Sequence, residues 1–439
     1  MQSTQRTRRD TLKAAAAGLT ILGDNVKGAN DRISAAFIGV GLMGSANLGF
    51  AMQQPSVQVT ALCDVYQPHL EQAGAQAAKA GHQPKQVRDF REILADKSID
   101  VVCIAAPDHW HPYMTVEACK AGKDVYVEKP VSVVVDEGRV MVQAARKYNR
   151  VVQAGTMQRS GTHFQKAVEI VRSGQLGKVT FCRAWTHMNL PQTGMGIAPD
   201  NEAPPPGLDW DLWLGPAPER AFSRNRFGTD RKRFPYSMFR YYWDYAGGMM
   251  TDWGVHLLDI VQMAFGEQMP LSVTCLGGKY WVTDDRETPD TQQVTYEYPG
   301  FVAVYETRLG NRQTLMDRDQ GLFEYGIMFH GTKGTLYLDR ALYRVTPEKG
   351  SGLRAVEEQR SNVSNLAHWA NFIECVRTRH RPVSDIEICH KSTTTCHLAN
   401  VALRSRVRVD WDAQAETTAQ QEARKFLTRA YRSPWRLVA

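Results

Sequence analysis

None of the eight cysteines forms a CxxC pair, and no HExxH or zinc-like spacing occurs. Several sit inside apolar runs, Cys63 in VTALCDV and Cys103 in DVVCIAAP, where a thiol acts as a small hydrophobe. A disulfide framework is therefore not expected. No stretch approaches the length of a membrane span, so no stable membrane insertion is expected. An excess of one charge is missing too. The formal net charge is +7, of which the first thirty residues (Arg6, Arg8, Arg9, Lys13 and Lys27 against Asp10 and Asp24) carry three. The remainder is too modest to indicate nucleic acid or an anionic membrane surface. The basic residues from Arg224 to Arg233 are interleaved with Phe and Asp, as in a solvated loop. What remains, 43% hydrophobic and 23% charged residues over 439 positions, is the make-up of a soluble globular chain with two domains.

The chain begins with a recognisable pattern. TRRDTLKAAAAGLTILG, Thr7 to Gly23, places paired arginines before a short, weakly apolar run. It resembles a twin-arginine export signal, with Thr11 where such signals usually carry Phe. The alternative is a basic N-terminus with an alanine-rich helix. Residues 1–30 are thus read as a signal and linker, with a periplasmic location if the signal works and a cytoplasmic one if it does not. No clear A-x-A cleavage site precedes Asp31. Twin-arginine export carries folded proteins, often with cofactor bound, into a compartment without a nicotinamide pool. An exported enzyme of this kind must regenerate its cofactor within each cycle.

The segment 31–155 carries the firmest signal. An apolar run, Ile33 to Val40, meets Gly39-x-Gly41-x-x-Gly44 and enters a helical pattern, and a second run ends at Asp64, twenty residues beyond Gly44. Strand, glycines, helix, strand and terminal acid arrive in the order of a dinucleotide-binding unit. Gly39 permits the tight turn, Gly41 the approach of a pyrophosphate and Gly44 close helix–strand contact. The helix N-terminus at Leu42 and Met43 offers its amides to the phosphates. Asp64 suits ribose hydroxyls and repels a 2′-phosphate, and Val65 and Tyr66 supply no arginine, so NAD is favoured over NADP. Further strands at DVVCIAAP and DVYV flank a helix from Pro112 to Ala121, implying a doubly wound parallel sheet. Pro107, Asp108, His109, His111, Glu128 and Lys129 fall at the strand ends where such sheets bind ligands.

The stretch AAPDHWHPYMTVEACKAGKDVYVEKP, Ala105 to Pro130, resembles the glucose–fructose oxidoreductase and inositol dehydrogenase family, Gfo/Idh/MocA. GTMQRSGTHFQKAVEIVRSGQLGKV, GGMMTDWGVHLLD and the run from Asn371 to Arg404 extend the likeness over nearly the whole chain after Asn30. The resemblance implies a second α+β domain, residues 156–405, built on an open, mostly antiparallel sheet. The far face of that sheet commonly makes the oligomer interface, so a homodimer or homotetramer is expected. Strand-like runs VTFCRAWTHM, QQVTYEY, FVAVYETR, YGIMFHG and GTLYL point to such a sheet independently.

It further implies that Lys129 of Glu-Lys-Pro takes or shares the proton of the reacting alcohol, and that the Lys129–Pro130 bond is often cis. Desolvation at a strand end would lower the lysine pKa. Asp252 and His256, four apart, share one face of a helix. His256 would exchange a proton near neutral pH, and Asp252 would orient the hydroxyl or the lysine. The cofactor set implied is Gly39, Gly41, Leu42, Met43, Gly44, Asp64, Pro107, His109, His111, Glu128 and Lys129. Substrate-side residues are Arg159, Tyr242, Trp243 and Asp259, with bracing of its own helix the alternative role for Asp259. No metal is expected, although Asp252, His256, His109 and His111 are ligand types.

One departure from the family is the insertion 188–245. Trp210, Trp213, Tyr241, Tyr242 and Trp243 within it either stack on sugar rings or pack as a flap on the domain's own core. Residues 406–439 read as a strand, a helix and an arm positioned to reach another subunit. Three functions follow. They are NAD-dependent oxidoreduction of a secondary alcohol of a sugar, sugar derivative or cyclic polyol, redox-neutral glycoside cleavage through a keto-sugar, and non-catalytic carbohydrate binding. Retention of Lys129, Asp252 and His256 together argues against the last.

Overall fold

The computed structural model describes residues 32–188, 194–228, 237–311 and 324–439. The arginine pair and apolar run at the N-terminus lie outside the described residues, as do parts of the insertion.

The chain opens with six short strands: β1 (Ile33–Ile38), β2 (Val57–Cys63), β3 (Lys85–Val87), β4 (Val101–Ile104), β5 (Asp124–Val127) and β6 (Val152–Ala154). Each inner strand is apolar and buried on both faces, as a sheet covered by helices on either side requires. They form one parallel sheet in the order β3-β2-β1-β4-β5-β6. The order reverses between β1 and β4, the crevice where ligands bind in such sheets.

Ten further strands make the second sheet: β7 (Val179–Met188), β8 (Ser272–Gly278), β9 (Thr291–Tyr298), β10 (Phe301–Leu309), β11 (Tyr325–Gly331), β12 (Gly334–Leu338), β13 (Leu342–Pro347), β14 (Val356–Gln359), β15 (Val409–Asp412) and β16 (Thr417–Thr418). Their order is β14-β13-β12-β11-β7-β10-β9-β8-β15-β16, antiparallel throughout except for β7 against β10. Burial alternates along β9 and β10, so one face is packed and the other open. The packed face holds the helix Gly254–Ala264, whose Leu257, Leu258 and Val261 join Tyr305, Ile327 and Phe329 in one core. All eight cysteines are free thiols, seven of them buried. Among the described residues no helix is long and apolar enough to cross a membrane.

The two-domain division does not follow the chain strictly. The helix Ser364–Thr378 returns to the first sheet, where Trp369, Phe372 and Ile373 pack with Phe37 and Tyr126. The Trp369 indole stacks on the Tyr126 ring at 4.5 Å and 11°. Ile386 and Cys389 enter the core on the sheet's other face. The C-terminal arm also packs on its own chain. Trp435 meets Trp110 and Tyr113 edge-on at 4.9 and 5.1 Å, and Arg429 donates to the Glu137 carboxylate and the His109 carbonyl.

Candidate active site

The glycine fingerprint builds a turn no other residue fits. Gly39 has φ +81°, and a Cβ there would lie 2.5 Å from the Ala106 nitrogen. A Cβ on Gly44 would lie 1.8 Å from the Gly39 carbonyl oxygen. These two glycines serve the chain itself. Gly41 does not, since its Cβ would meet only the His69 ring, at 3.3 Å. The space above Gly41 is open to a ligand. The helix Leu42–Ala51 then starts with no side-chain cap and no acid in its first turn, leaving its amides to an anion. Asp64 closes β2, its carboxylate accepting from the amides of Val40 and Tyr66, each at 2.9 Å, with His69 Nδ1 at 3.3 Å.

These residues line one cleft with Pro107, Asp108, His111, Glu128 and Lys129. The residues present therefore fit a dinucleotide, with Gly41, Leu42 and Met43 at the phosphates and Asp64 at a ribose. The opposite wall comes from the insertion, through Leu212, Trp213, Phe227, Phe239 and Arg240. Glu128 accepts from Asn47 Nδ2 at 2.8 Å, while Asn47 Oδ1 accepts from the Trp369 indole at 3.0 Å, so the returning helix fixes the Glu128 rotamer. Burial raises the Glu128 carboxyl, against the pull of Lys129 and Asn47. His111 is wedged between the carbonyls of Pro130 and Ala106, 2.7 and 2.8 Å from its ring nitrogens, and burial lowers its pKa to about 4.

The catalytic helix of the sequence reading is two helices, Gly248–Asp252 and Gly254–Ala264, broken at Trp253. The His256 amide bonds to the Trp253 carbonyl rather than to Asp252 four residues back. The Asp252 carbonyl is thereby released from the helical ladder. Lys129 Nζ takes it at 2.9 Å and takes Asp252 Oδ1 at 2.7 Å, across a cis Lys129–Pro130 bond. The insertion adds Arg240, whose Nε lies 2.9 Å from the same Oδ1 as an ion pair. Burial alone would raise the Asp252 carboxyl, yet Arg240 and Lys129 hold it well below its ordinary value.

His256 does not behave as the sequence suggests. Burial pushes its pKa well below 6.5, and Lys129 and Arg340 push it further, so it stays neutral rather than exchanging a proton near pH 7. Its Nδ1 is buried without a partner.

Several expected residues lie off the cleft. His109 is fully buried, its Nε2 3.0 Å from the Trp213 carbonyl and its ring against Trp213 and Tyr245. Arg159 and Asp259 take each other in a buried fork with both contacts at 2.8 Å, which Glu267 and Ser392 complete. They brace the helix and are not free for substrate. Tyr242 is 2% exposed in the insertion's own aromatic core, with Arg226 over its ring. Trp243 stacks under Arg404. The flap reading of the insertion is the one the packing supports, although Trp213 reaches the cleft. Among the described residues no cluster of three His, Cys, Asp or Glu is set to hold a metal.

The sequence assigns no role to Arg240, Asn47 or His69, and places Asp108 at a ligand-binding strand end without a chemical role. Arg240 stands in the conspicuous stretch RYYWDYAGG, but no spacing marks a lone arginine as a partner of Asp252. Asp108 stood among the strand-end residues, and its burial was the missing signal.

A dinucleotide cleft ending at a lysine–carboxylate pair defines an NAD-dependent oxidoreductase. Residues 33–156 match a family model described as oxidoreductase family, NAD-binding Rossmann fold, and 160–437 match its C-terminal alpha/beta domain. The chain belongs to this family, the Gfo/Idh/MocA oxidoreductases. It is 32% identical to inositol 2-dehydrogenase of Salmonella typhimurium over 151 residues, 33% of this chain and 43% of that one. A glycosyl hydrolase family 109 protein of Saccharopolyspora erythraea is 30% identical over 159 residues, 35% of this chain and 34% of its own. The chain thus matches less than half the length of these relatives. The fold is similar to that of WlbA dehydrogenase from Bordetella pertussis in complex with NADH and UDP-GlcNAcA (TM-score 0.63, 18% identity, 87% of this chain and 99% of that one). Levoglucosan dehydrogenase, in complex with NADH and levoglucosan, gives TM-score 0.63 at 16% identity over 86% of this chain and 99% of its own.

Proposed function

We propose that the protein oxidises a secondary alcohol of a sugar, sugar derivative or cyclic polyol with an NAD molecule that stays bound from one turnover to the next and is reoxidised in place by reduction of a second, carbonyl-bearing sugar. The observation that carries this reading is the second wall of the cleft. Leu212, Trp213, Phe227, Phe239 and Arg240 of the insertion line the same cleft as Gly39, Gly41 and Asp64. A cofactor covered on that side has fewer routes out. NAD supplies the acceptor for the hydrogen and electron pair of the reacting C–H bond. Lys129, held by Asp252, presents its remaining N–H to the hydroxyl oxygen. Asp64 supports NAD over NADP, and Arg88, which lines the same cleft, is engaged by the carbonyls of Val65 and Gly207, each at 3.0 Å.

The same reading extends to location and assembly. The N-terminal arginine pair carries the folded holoprotein to the periplasm, and the open face of the second sheet pairs subunits into a dimer or tetramer. A second reading is redox-neutral glycoside cleavage through a keto-sugar. The match to glycosyl hydrolase family 109 proteins favours it.

The test starts with purified protein, which is denatured and analysed for released dinucleotide. Stoichiometric NAD is expected, and its absence overturns the bound-cofactor reading. Sugars, myo-inositol and nitrophenyl glycosides are then supplied with and without added NAD. Reduction of the bound equivalent of NAD by a sugar or by myo-inositol, without release of nitrophenol, supports the oxidoreductase, and repeated reduction of added NAD overturns the retention of the cofactor. Release of nitrophenol without net reduction replaces the oxidoreductase with the second reading.

A further inference from the structure

We propose that Asp108 is a catalytic residue of this enzyme, the carboxylate that takes the substrate hydroxyl proton during oxidation and returns it during reduction. The inference rests on the oxidoreductase reading above and goes beyond the lysine, aspartate and histidine that the family resemblance supplies.

Asp108 follows Pro107 beyond the end of β4, the strand next to β1 at the reversal of strand order. Its side chain lines the cleft with Lys129, Arg240 and the glycine turn. It is only 5% exposed.

Asp108 shares the lining of the cleft with Lys129, from the end of β5, and Arg240, from the insertion, and both of these and Asp252 of the broken helix act on it electrostatically. Both cations are already in contact with Asp252, at 2.7 and 2.9 Å. Asp252 is thus a fixed anion, permanently ionised between two cations. Among the described residues, no other residue donates a hydrogen bond to the Asp108 carboxylate, whose one near donor is its own amide. Asp252 and Asp108 thus stand in contrasting environments, an arrangement that separates a structural anion from a proton carrier, while Glu128, the other raised carboxyl of the cleft, is tied to Asn47 Nδ2 at 2.8 Å.

Titration agrees with the geometry. Burial lifts Asp108 to about 7, against the pull of Arg240 and Lys129 and with the push of Asp252. A group that titrates near the working pH is suited to accept and return protons. His256, the family's usual candidate, is held neutral.

The step balances without further reagents. The alcohol O–H bond breaks, and its proton forms a bond to an Asp108 oxygen. The C–O single bond becomes C=O as the C–H hydrogen leaves with both bonding electrons for oxidised NAD, which is reduced. Lys129, keeping its three protons, supports the oxygen as charge develops there.

Two measurements on the full-length protein test this. The first needs no substrate. Oxidised NAD is titrated into protein stripped of its cofactor at pH 7, in buffers of different ionisation enthalpy. The cationic nicotinamide is expected to expel a fraction of a proton from wild type and from His256→Gln, but none from Asp108→Asn. Release that survives Asp108→Asn, or vanishes only in His256→Gln, overturns the proposal. The second follows cofactor reduction with myo-inositol, levoglucosan or glucose, whichever wild type turns over. Asp108→Asn is expected to lower the rate of cofactor reduction by about 10²–10⁴-fold and to remove the rise in rate through pH 7, with NAD affinity little changed. A preserved pH rise overturns it. If NAD binds to no variant, the oxidoreductase reading itself fails, a distinguishable result.

Discussion

Lys129 grips Asp252 twice, through the side-chain carboxylate and through the main-chain carbonyl that the break at Trp253 sets free. The lysine is thereby fixed in direction as well as in charge. Lys129→Met is expected to lower turnover at least about 100-fold while leaving NAD affinity close to wild type. Asp252→Asn does something different, because it leaves Lys129 and Arg240 as buried cations without their shared anion. A loss of about 3–5 kcal/mol in urea unfolding is expected, as when one partner of a buried pair is removed. A fully stable Asp252→Asn protein would show that the two cations are satisfied elsewhere.

The raised carboxyl of Asp108 links stability to pH. In the unfolded chain it ionises near ~3.9, and in the native protein at about 7. Between those values the native state holds the proton and the unfolded state has lost it, so stability falls as pH rises, by up to about 1.4 kcal/mol per pH unit. Asp108→Asn removes that loss. Its Tm is expected to exceed the wild-type value at pH 8 and to draw level toward pH 4. A Tm difference that is the same at both pH values would contradict the assignment.

Two glycines of the fingerprint separate folding from binding. Gly44→Ala drives a methyl into the Gly39 carbonyl and is expected to lower Tm by several degrees. Gly41→Ala meets only the His69 ring, at 3.3 Å, and is expected to lower Tm less than Gly44→Ala does. It fills the space above the turn, so NAD affinity measured by calorimetry is expected to fall about tenfold or more. Equal affinity for wild type and Gly41→Ala would move the pyrophosphate away from this turn.

The Arg159–Asp259 fork belongs to the framework. Arg159→Met leaves Asp259 buried without its cation and is expected to cost about 3–5 kcal/mol in chemical denaturation. Turnover per folded molecule at low temperature is expected to stay within about twofold of wild type. A selective rise in KM for sugar would return Arg159 to the substrate site.

These contrasts mark what was legible in the sequence. The first sheet was readable because its glycines, strand periods and Asp64 obey local rules. β7, β9, β10, β11 and β12 announced themselves by alternation or β-rich composition. The short strands β3 and β6 and the edge strands β13 and β14 carried too little pattern. Lys129 and Asp252 were named from a motif, but their double hydrogen bond depends on a helix break that TDWGVH does not advertise. Arg159 and His109 lie away from the cleft, and Asp259 and Tyr242 take the bracing and flap alternatives that the sequence leaves open, because a polar residue beside a motif looks the same whether it faces substrate or another side chain. Only burial and partners distinguish the two, and both arise from contacts distant in sequence.

The helix that carries Trp369 has a consequence for how the chain is made. The first sheet leaves the ribosome early, but the residues that stack on Tyr126 and steady Glu128 through Asn47 are more than two hundred positions behind it. At about 5–20 residues per second, that interval is on the order of ten seconds to most of a minute. During it, the nascent domain exposes an apolar surface that its own late helix is destined to cover. The nucleotide site matures at the end of synthesis, as a property of the finished chain.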